Sequence, residues 1–256
     1  MSRLLTRLTT IRSNGCNVYL CPIRTRKRQP RHGHGSCHRP DYNHRHAYRE
    51  STTKGKGTRM TFTFQAIDGV GEYGKNCFYI EGKNSRILLE RGIKRGIKTE
   101  YPEVEKMNIK ELDAVFLSHI HDDHCIGLPL LYKQGYKGNV IMSEETKNRL
   151  PQAFKKWRHD KEKKEQIPYS TKDEQAIQMH TFSYETKGTW IIINDHLRFQ
   201  WFLSGHVIGG VSYLIQMENQ LIYYSGVFLA NPYFTSRISN EPKRKAKPCY
   251  HRQWPC

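Results

Sequence analysis

The chain has 256 residues, of which 37% are hydrophobic, and its 42 Lys and Arg against 24 Asp and Glu give a formal net charge of +18. A mean hydropathy of -0.76 is low for a chain that is globular throughout, so part of it is expected to lie outside a folded core. No apolar stretch reaches the roughly 18 residues that a bilayer-spanning helix needs, and no such helix is expected.

The positive charge is concentrated in the two ends of the chain. Residues 1–59 carry a net charge of +12, residues 60–230 carry +1, and residues 231–256 carry +5. We therefore predict a basic, disordered extension over 1–59, a folded domain over 60–230 and a basic, irregular tail over 231–256. The overall charge suggests nucleic-acid binding, but the middle region is nearly neutral and does not support that interpretation.

The first 59 residues are rich in Arg and His, and their first acidic residue is Asp41. We interpret them as a non-functional extension. The alternatives are a mitochondrial targeting segment over residues 1–40, an RNA-binding arm or a His-rich metal-binding tract. Of seven cysteines, only Cys77 and Cys125 lie in the middle region, which argues against a disulfide framework and favours a reducing compartment, the cytoplasm.

The middle region alternates strand and helix patterns. Helices are predicted at 125–133 and, capped by Ser143, to about Glu165; within the second, KKWRHDKEKKE is interpreted as a solvated face, with RNA contact as the alternative. The order of elements predicts an α/β layered fold. Strands are predicted at 61–67, 77–80, 86–89, 112–117, 139–142, 178–182, 190–193, 197–203, 211–216 and 221–224.

A metal-binding motif follows the apolar strand pattern of residues 112–117. The sequence SHIHDDHCIG places His119, His121, Asp123 and His124 in the spacing H-x-H-x-D-H. Residues i and i+2 of an extended loop point the same way, so the first two imidazoles can share one metal, and the next pair can turn toward a second. Imidazole and carboxylate are ligands that zinc accepts. A His-rich surface loop is the alternative, against which the preceding apolar strand argues.

Three stretches resemble a known family: GVGEYGKNCFYIEGKNSRILLERG, VFLSHIHDDHCIGLPLL and FLSGHVIGGVSYLI. They resemble the metallo-β-lactamase fold hydrolases, and most of all the N-terminal half of the β-CASP-type nucleases that process RNA. The resemblance implies an α/β fold, an αββα sandwich over about residues 60–230 that is incomplete at its C-terminus.

The resemblance also implies the site residues. His119, His121 and His206 would hold one zinc ion, and Asp123 and His124 would hold a second. Asp123 would also be catalytic, orienting the water that attacks the substrate. A purely structural role is the alternative for His206, and Asp122 is expected to be solvated or to support the ligands from outside.

Three departures from the family pattern concern the second metal. Glu90 stands where the family has a supporting Asp, and Val227 stands where the family has an Asp that bridges the two ions. The family's further domain, which supplies another histidine, has no counterpart in the tail, where His251 is a candidate by residue type only. We therefore expect one complete zinc site and a weakened second one.

The leading interpretation is a zinc-dependent hydrolase of nucleic-acid phosphodiesters, with RNA as its substrate and its activity reduced by Val227 and truncation. One alternative keeps the metals and changes the substrate to a small ester, thioester or lactam. The other is a catalytically inactive homologue or gene fragment that binds RNA or a partner.

Overall fold

The computed structural model describes residues 9–13, 16–22, 63–70, 72–104, 107–161, 165–218 and 220–228. Those residues form twelve strands and four α-helices, with short 3-10 helices at Ile109–Glu111 and Tyr184–Thr186. The strands are β1 (Thr9–Ser13), β2 (Cys16–Pro22), β3 (Thr63–Asp68), β4 (Cys77–Glu81), β5 (Arg86–Leu89), β6 (Ala114–Phe116), β7 (Asn139–Ser143), β8 (Gln178–Phe182), β9 (Ile191–Asn194), β10 (Leu197–Leu203), β11 (Val211–Met217) and β12 (Gln220–Val227). The helices are α1 (Asp122–Cys125), α2 (Leu128–Lys133), α3 (Glu144–Lys161) and α4 (Thr171–Gln175).

The strands form two six-stranded sheets. The mixed sheet has the order β3-β4-β5-β6-β7-β8, and its last four strands run parallel. Strands β5, β6 and β7 are short apolar runs buried on both faces, which is typical of parallel strands covered on either side. The antiparallel sheet has the order β1-β2-β12-β11-β10-β9.

Two apolar clusters define the layers. One lies between the sheets, where Phe78, Ile80 and Phe116 of the mixed sheet meet Phe199 and Tyr213 of the antiparallel sheet. The other lies on the opposite face of the mixed sheet, against Leu128, Leu131, Leu150, Phe154 and Trp157 of α2 and α3. The described residues thus form three of the four layers of an αββα sandwich, which confirms the predicted fold class. None of the described helices is both long and apolar enough to cross a membrane.

Two segments of the N-terminal extension are strands. Residues 9–13 and 16–22, for which composition predicts disorder, form the hairpin β1–β2, and β2 pairs with β12 in antiparallel register, Tyr19 opposite Tyr223. The expectation of disorder therefore does not hold for these two segments, because the pairing of β1 with β2 and of β2 with β12 gives them backbone hydrogen bonds that composition does not reveal. The rest of the extension and the tail from residue 229 lie outside the described residues, and with them His251.

The helices differ from the prediction in three places. The single helix expected at 125–133 is divided into α1 and α2 around Gly127, whose N–H donates to the Arg91 carbonyl and where a Cβ atom would lie 2.8 Å from that oxygen. Helix α3 ends at Lys161 rather than near 165, while Ser143 Oγ accepts from the Thr146 N–H as expected of its cap. Helix α4 was not predicted, although Ser170 and Asp173 form a capping box at its start.

Candidate metal centre

The candidate site lies at the carboxyl edge of the mixed sheet, where its parallel strands end together. Glu90 follows β5, the loop carrying His119 and His121 follows β6, and Ser143 ends β7. Backbone bonds fix this loop, since the Leu117 N–H donates to Ile141 O at 2.9 Å and Val211 N–H donates to Ser118 O at 3.0 Å. The loop is therefore tied to both sheets.

His206 comes to this loop from the antiparallel sheet. It lies in the turn between β10 and β11, which begins at Gly205 (φ +73°) and closes through the bond from Ser204 N–H to Gly210 O. The Gly209 carbonyl accepts from Ser143 Oγ at 2.7 Å, and this bond anchors the turn beside α3. The sandwich thereby joins two histidines that are 85 residues apart in sequence.

Three imidazoles converge at this point. His119 Nε2 lies 3.1 Å from His121 Nδ1, and His206 Nε2 lies 3.2 Å from the same atom. A tetrahedral ion with bonds of about 2.0–2.1 Å separates its ligand atoms by about 3.3–3.4 Å, so the spacing fits a zinc-sized ion. Within the described part of the chain, these histidines are the one group of three potential ligand side chains whose donor atoms lie within 4.8 Å of one another.

The first histidine is held in place and kept neutral. His119 is 1% exposed, and its Nδ1 lies 2.9 Å from Ser118 Oγ, which leaves Nε2 facing the other two rings. Burial, and then the neighbouring histidines, hold the pKa of His119 far below its ordinary value, and burial also lowers the pKa of His206. Neutral imidazole is the form that binds metals, so the set suits a cation.

Asp123 and His124 lie beside the triad and in contact with each other. Asp123 Oδ2 is 3.3 Å from His124 Nε2, and the His124 ring centre is 4.1 Å from that of His119. Burial alone would lower the pKa of His124, but the Glu90 charge and the contact with the Asp123 carboxylate raise it to about 9. A cation at His124 Nε2 would therefore compete with a proton for that atom.

A loop and an asparagine that the sequence analysis missed hold this pair in position. Asn76 Nδ2 donates to the Asp123 carbonyl at 3.0 Å and to its carboxylate at 3.2 Å. The Gly92 N–H donates to Asn76 O, and the Arg91 N–H donates to His124 O at 2.9 Å. Asn76 stands in a polar turn before β4, where nothing in a single sequence marks it as a neighbour of residue 123.

A sequence profile of the metallo-beta-lactamase superfamily matches residues 70–213, more than half of the chain. The chain belongs to the metallo-beta-lactamase superfamily. The profile covers the loop with His119 and His121 and the turn with His206, so family membership and the convergence of the three rings concern the same residues.

Curated relatives of this superfamily member include proteins of archaea, an animal and a yeast. It is 32% identical over 161 residues to a probable RNase of Methanocaldococcus jannaschii, covering 60% of this chain and 36% of the relative. It is 27% identical over 187 residues to the transcription termination factor FttA of the same organism, covering 71% and 28%. It is 30% identical over 168 residues to cleavage and polyadenylation specificity factor 73 of Drosophila melanogaster, covering 61% and 23%. The chain thus spans about a third or less of the length of these relatives.

Two residues that depart from the pattern of β-CASP-type nucleases differ in their surroundings. Glu90 is fully buried with φ +62°; its carboxylate accepts from Ser118 N–H at 3.0 Å and lies 3.6 Å from His124 Nδ1, so it connects the two ligand groups. Val227 ends β12, is half-buried and packs against the cluster between the sheets. Its neighbour Phe228 pairs with Gly205, next to His206. Asp122, expected to be solvated or supporting, forms an ion pair with Arg95.

The buried Glu90 carboxylate is expected to contribute strongly to stability. Glu90→Ala should lower the free energy of unfolding by about 2–4 kcal/mol, since it leaves a buried Ser118 N–H and a buried His124 without their partner. Glu90→Gln keeps an acceptor for Ser118 and should lose less. Urea denaturation measures the free energy of unfolding of both variants. The control is Glu81→Ala, which removes a partly exposed ion pair with Arg86 and should lose under about 1 kcal/mol. A Glu90→Ala variant as stable as Glu81→Ala would show that the Glu90 carboxylate does not stabilise the site.

Proposed function

We propose that this chain carries the metal centre of a zinc-dependent ribonuclease. The observation that carries the proposal is the convergence of His119, His121 and His206 in a metallo-beta-lactamase domain. Two relatives whose names describe RNA cleavage, a probable RNase and an endoribonuclease of Yarrowia lipolytica, support RNA as the substrate. Three imidazoles with no protein thiolate among them are a donor set that leaves a zinc coordination position open to water or substrate.

We assign metal-binding, water-orienting and positioning roles to the residues of the site. His119, His121 and His206 would hold the first zinc, and Asp123 with His124 the second. Bound zinc would supply Lewis acidity toward a phosphodiester and acidify water beside it. The Asp123 carboxylate, which Asn76 orients, would accept a hydrogen bond from the attacking water and direct its lone pair at phosphorus. Ser118 and Glu90 would position the rings of His119 and His124.

The second zinc site is proposed to be weak in this chain. Asp123 and His124 supply two ligands, the raised pKa of His124 makes a cation compete with a proton for its Nε2, and valine at 227 offers no ligand atom. The cytoplasmic location and the domain boundaries at residues 60 and 230 stay predictions from composition.

Val227→Asp is expected to raise the zinc content of the purified chain from about one toward two equivalents per chain, because a carboxylate is the ligand type that joins zinc ions in two-metal sites. Inductively coupled plasma mass spectrometry after dialysis against a zinc buffer measures it. Val227→Asn, which matches the size of the aspartate without its charge, is the control and should stay near one equivalent. Equal zinc contents in all three proteins would contradict the proposed position of residue 227.

The function itself is tested by cleavage of a labelled single-stranded RNA with and without zinc. A slow, zinc-dependent cleavage that His119→Ala abolishes and His196→Ala leaves intact is the expected result, since His196 is exposed and lies in the turn before β10, at the opposite end of that strand from the His206 turn. Zinc-dependent hydrolysis of a generic thioester or lactam with no RNA cleavage would favour the small-substrate alternative. No hydrolysis with bound zinc would favour an inactive homologue.

A further inference from the structure

An open cleft begins at the metal centre and extends along α3. It has a volume of about 1230 Å³, and His121, Asp122 and Asp123 line one end of it. The exposed side of α3 forms a wall, and Tyr73 and Arg95 lie on other parts of the lining. The cleft is larger than the roughly 300–1,000 Å³ of most small-molecule pockets, so its size suits a polymer.

The α3 wall presents a row of basic and polar side chains. Arg149, Gln152, Lys156 and His159 follow one another at intervals of three and four residues, so they share one face of the helix, and Lys155 lies beside them. All five are exposed. From Arg149 to His159 the row extends about 15 Å along the helix axis, so it can contact more than one phosphate group.

The cations of this wall differ from other cations of the same helix in their ion pairs. Among the described residues, Arg149, Lys155 and Lys156 form no ion pair, whereas Arg158 and Lys161 of the same helix pair with Glu174 and Glu165. At the metal end, Arg95 already pairs with Asp122. The basic surplus therefore faces the cleft, although residues 60–230 as a whole carry a net charge of only +1.

An exposed aromatic ring lies on the cleft lining near the metal centre. Tyr73 is 71% exposed, while the other aromatic ring of the cleft, Trp157, is 1% exposed beneath Arg95 and Lys161. An exposed ring beside a row of cations is the combination that binds single-stranded nucleic acid, because bases stack on the ring while phosphates pair with the cations.

We infer that this cleft binds single-stranded RNA, with the phosphate backbone along Arg149, Lys155 and Lys156 and a base stacked on Tyr73. The inference rests on the proposed ribonuclease function and adds the path that the substrate takes from the metal centre. A solvated helix face would also expose basic residues, but it would not place its unpaired cations on one wall of a cleft that begins at the ligands.

The test measures binding without cleavage. The full chain in EDTA is titrated into a fluorescein-labelled 12-nucleotide oligouridylate, and anisotropy gives the dissociation constant between 50 and 200 mM salt. The cleft variant carries Arg149→Gln, Lys155→Gln and Lys156→Gln. The control variant loses the same three charges outside the cleft, through Lys83→Gln, Lys110→Gln and Lys137→Gln. This comparison cancels the contribution of the basic ends, which both variants retain.

The cleft variant is expected to bind at least about ten-fold more weakly, with its salt slope reduced by about 2, since each phosphate contact on a single strand contributes about 0.7. The control variant should stay within about two-fold of the unmodified chain. Equal losses of RNA affinity in the two variants would overturn the inference, because binding would then depend on the total charge of the chain and not on the cleft.

Tyr73 is tested in the same titration. Tyr73→Ala is expected to weaken binding about five-fold or more, and Tyr73→Phe to preserve it, since stacking needs the ring and not the hydroxyl. Tyr184→Ala, at a ring that is 60% exposed elsewhere, is the control. Tyr73→Ala binding as tightly as Tyr184→Ala would overturn the stacking assignment.

Failure of this inference and failure of the proposed function give different results. Weak binding by the cleft variant, together with no cleavage by the zinc-loaded chain, would uphold the cleft as an RNA site and refute the nuclease. Zinc-dependent cleavage that His119→Ala abolishes, together with equal binding by the cleft and control variants, would uphold the nuclease and refute the cleft.

Discussion

His121→Ala is expected to abolish the tightest zinc site of the chain, with at least a 100-fold loss of affinity. His121 Nδ1 is the atom on which His119 Nε2 and His206 Nε2 both converge, at 3.1 and 3.2 Å. Removal of that ring leaves two imidazoles for an ion that needs three protein ligands. Loss of a residue that only supports a ligand typically costs about 10–100-fold in metal affinity, and loss of the ligand itself should cost more.

Competition with a chromophoric zinc chelator measures this affinity. His196→Ala is the matched control, because it removes one exposed imidazole from the same chain. Any zinc bound by histidines of residues 1–59 is common to both variants, so the tightest equivalent is the one to compare. Equal affinity of the two variants for that equivalent would show that the zinc lies elsewhere.

Gly92→Ala is expected to unfold the site region, with a loss of more than about 4 kcal/mol in the free energy of unfolding. A Cβ atom at residue 92 would lie 1.6 Å from the Asp123 carbonyl oxygen and 2.0 Å from its carbon. Both are backbone atoms, so no side-chain movement can relieve the overlap. The loop at residues 90–93 would have to leave α1 and give up the bonds from Arg91 N–H to His124 O and from Ile93 N–H to Asp122 O.

The control for this variant is Gly96→Ala, in the next turn of the same segment. Its nearest atom to an added Cβ is Lys98 O at 3.1 Å, so only a small adjustment is needed. Urea denaturation followed by circular dichroism should show a large loss for Gly92→Ala and under about 1 kcal/mol for Gly96→Ala. A Gly92→Ala protein that unfolds like Gly96→Ala would mean that the loop and α1 are not in contact.

The sequence predicted those parts of the fold that short-range patterns determine. Strands at 86–89, 178–182 and 197–203 agree with β5, β8 and β10 to the residue, because alternating or continuous apolar runs report the faces that each strand buries. The hairpin β1–β2 escaped prediction because its stability depends on β12, about two hundred residues later in the chain, and the composition around it is that of an unfolded segment.

The sequence also predicts only those parts of the candidate site that local spacing marks. The spacing of His119, His121, Asp123 and His124 indicates ligands by local geometry alone, and the structure places the rings of the first two beside His206. Asn76 and Gly92 were missed because their contacts with Asp123 cross 47 and 31 residues, and neither an asparagine in a turn nor a glycine after a strand is distinctive. The sequence indicates a solvated face for the stretch KKWRHDKEKKE, which begins within α3, with RNA contact as the alternative, and only the position of the cleft favours that alternative.

We propose that His119, His121 and His206 hold one metal ion together. An anomalous difference map, collected at the zinc edge from crystals of the zinc-loaded chain, would locate that ion. The expected result is a peak with three imidazole nitrogens at about 2.0–2.1 Å, from His119 Nε2, His121 and His206 Nε2. A zinc peak bound by cysteine sulfur or by histidines of the N-terminal extension, with no density among these three rings, would contradict it.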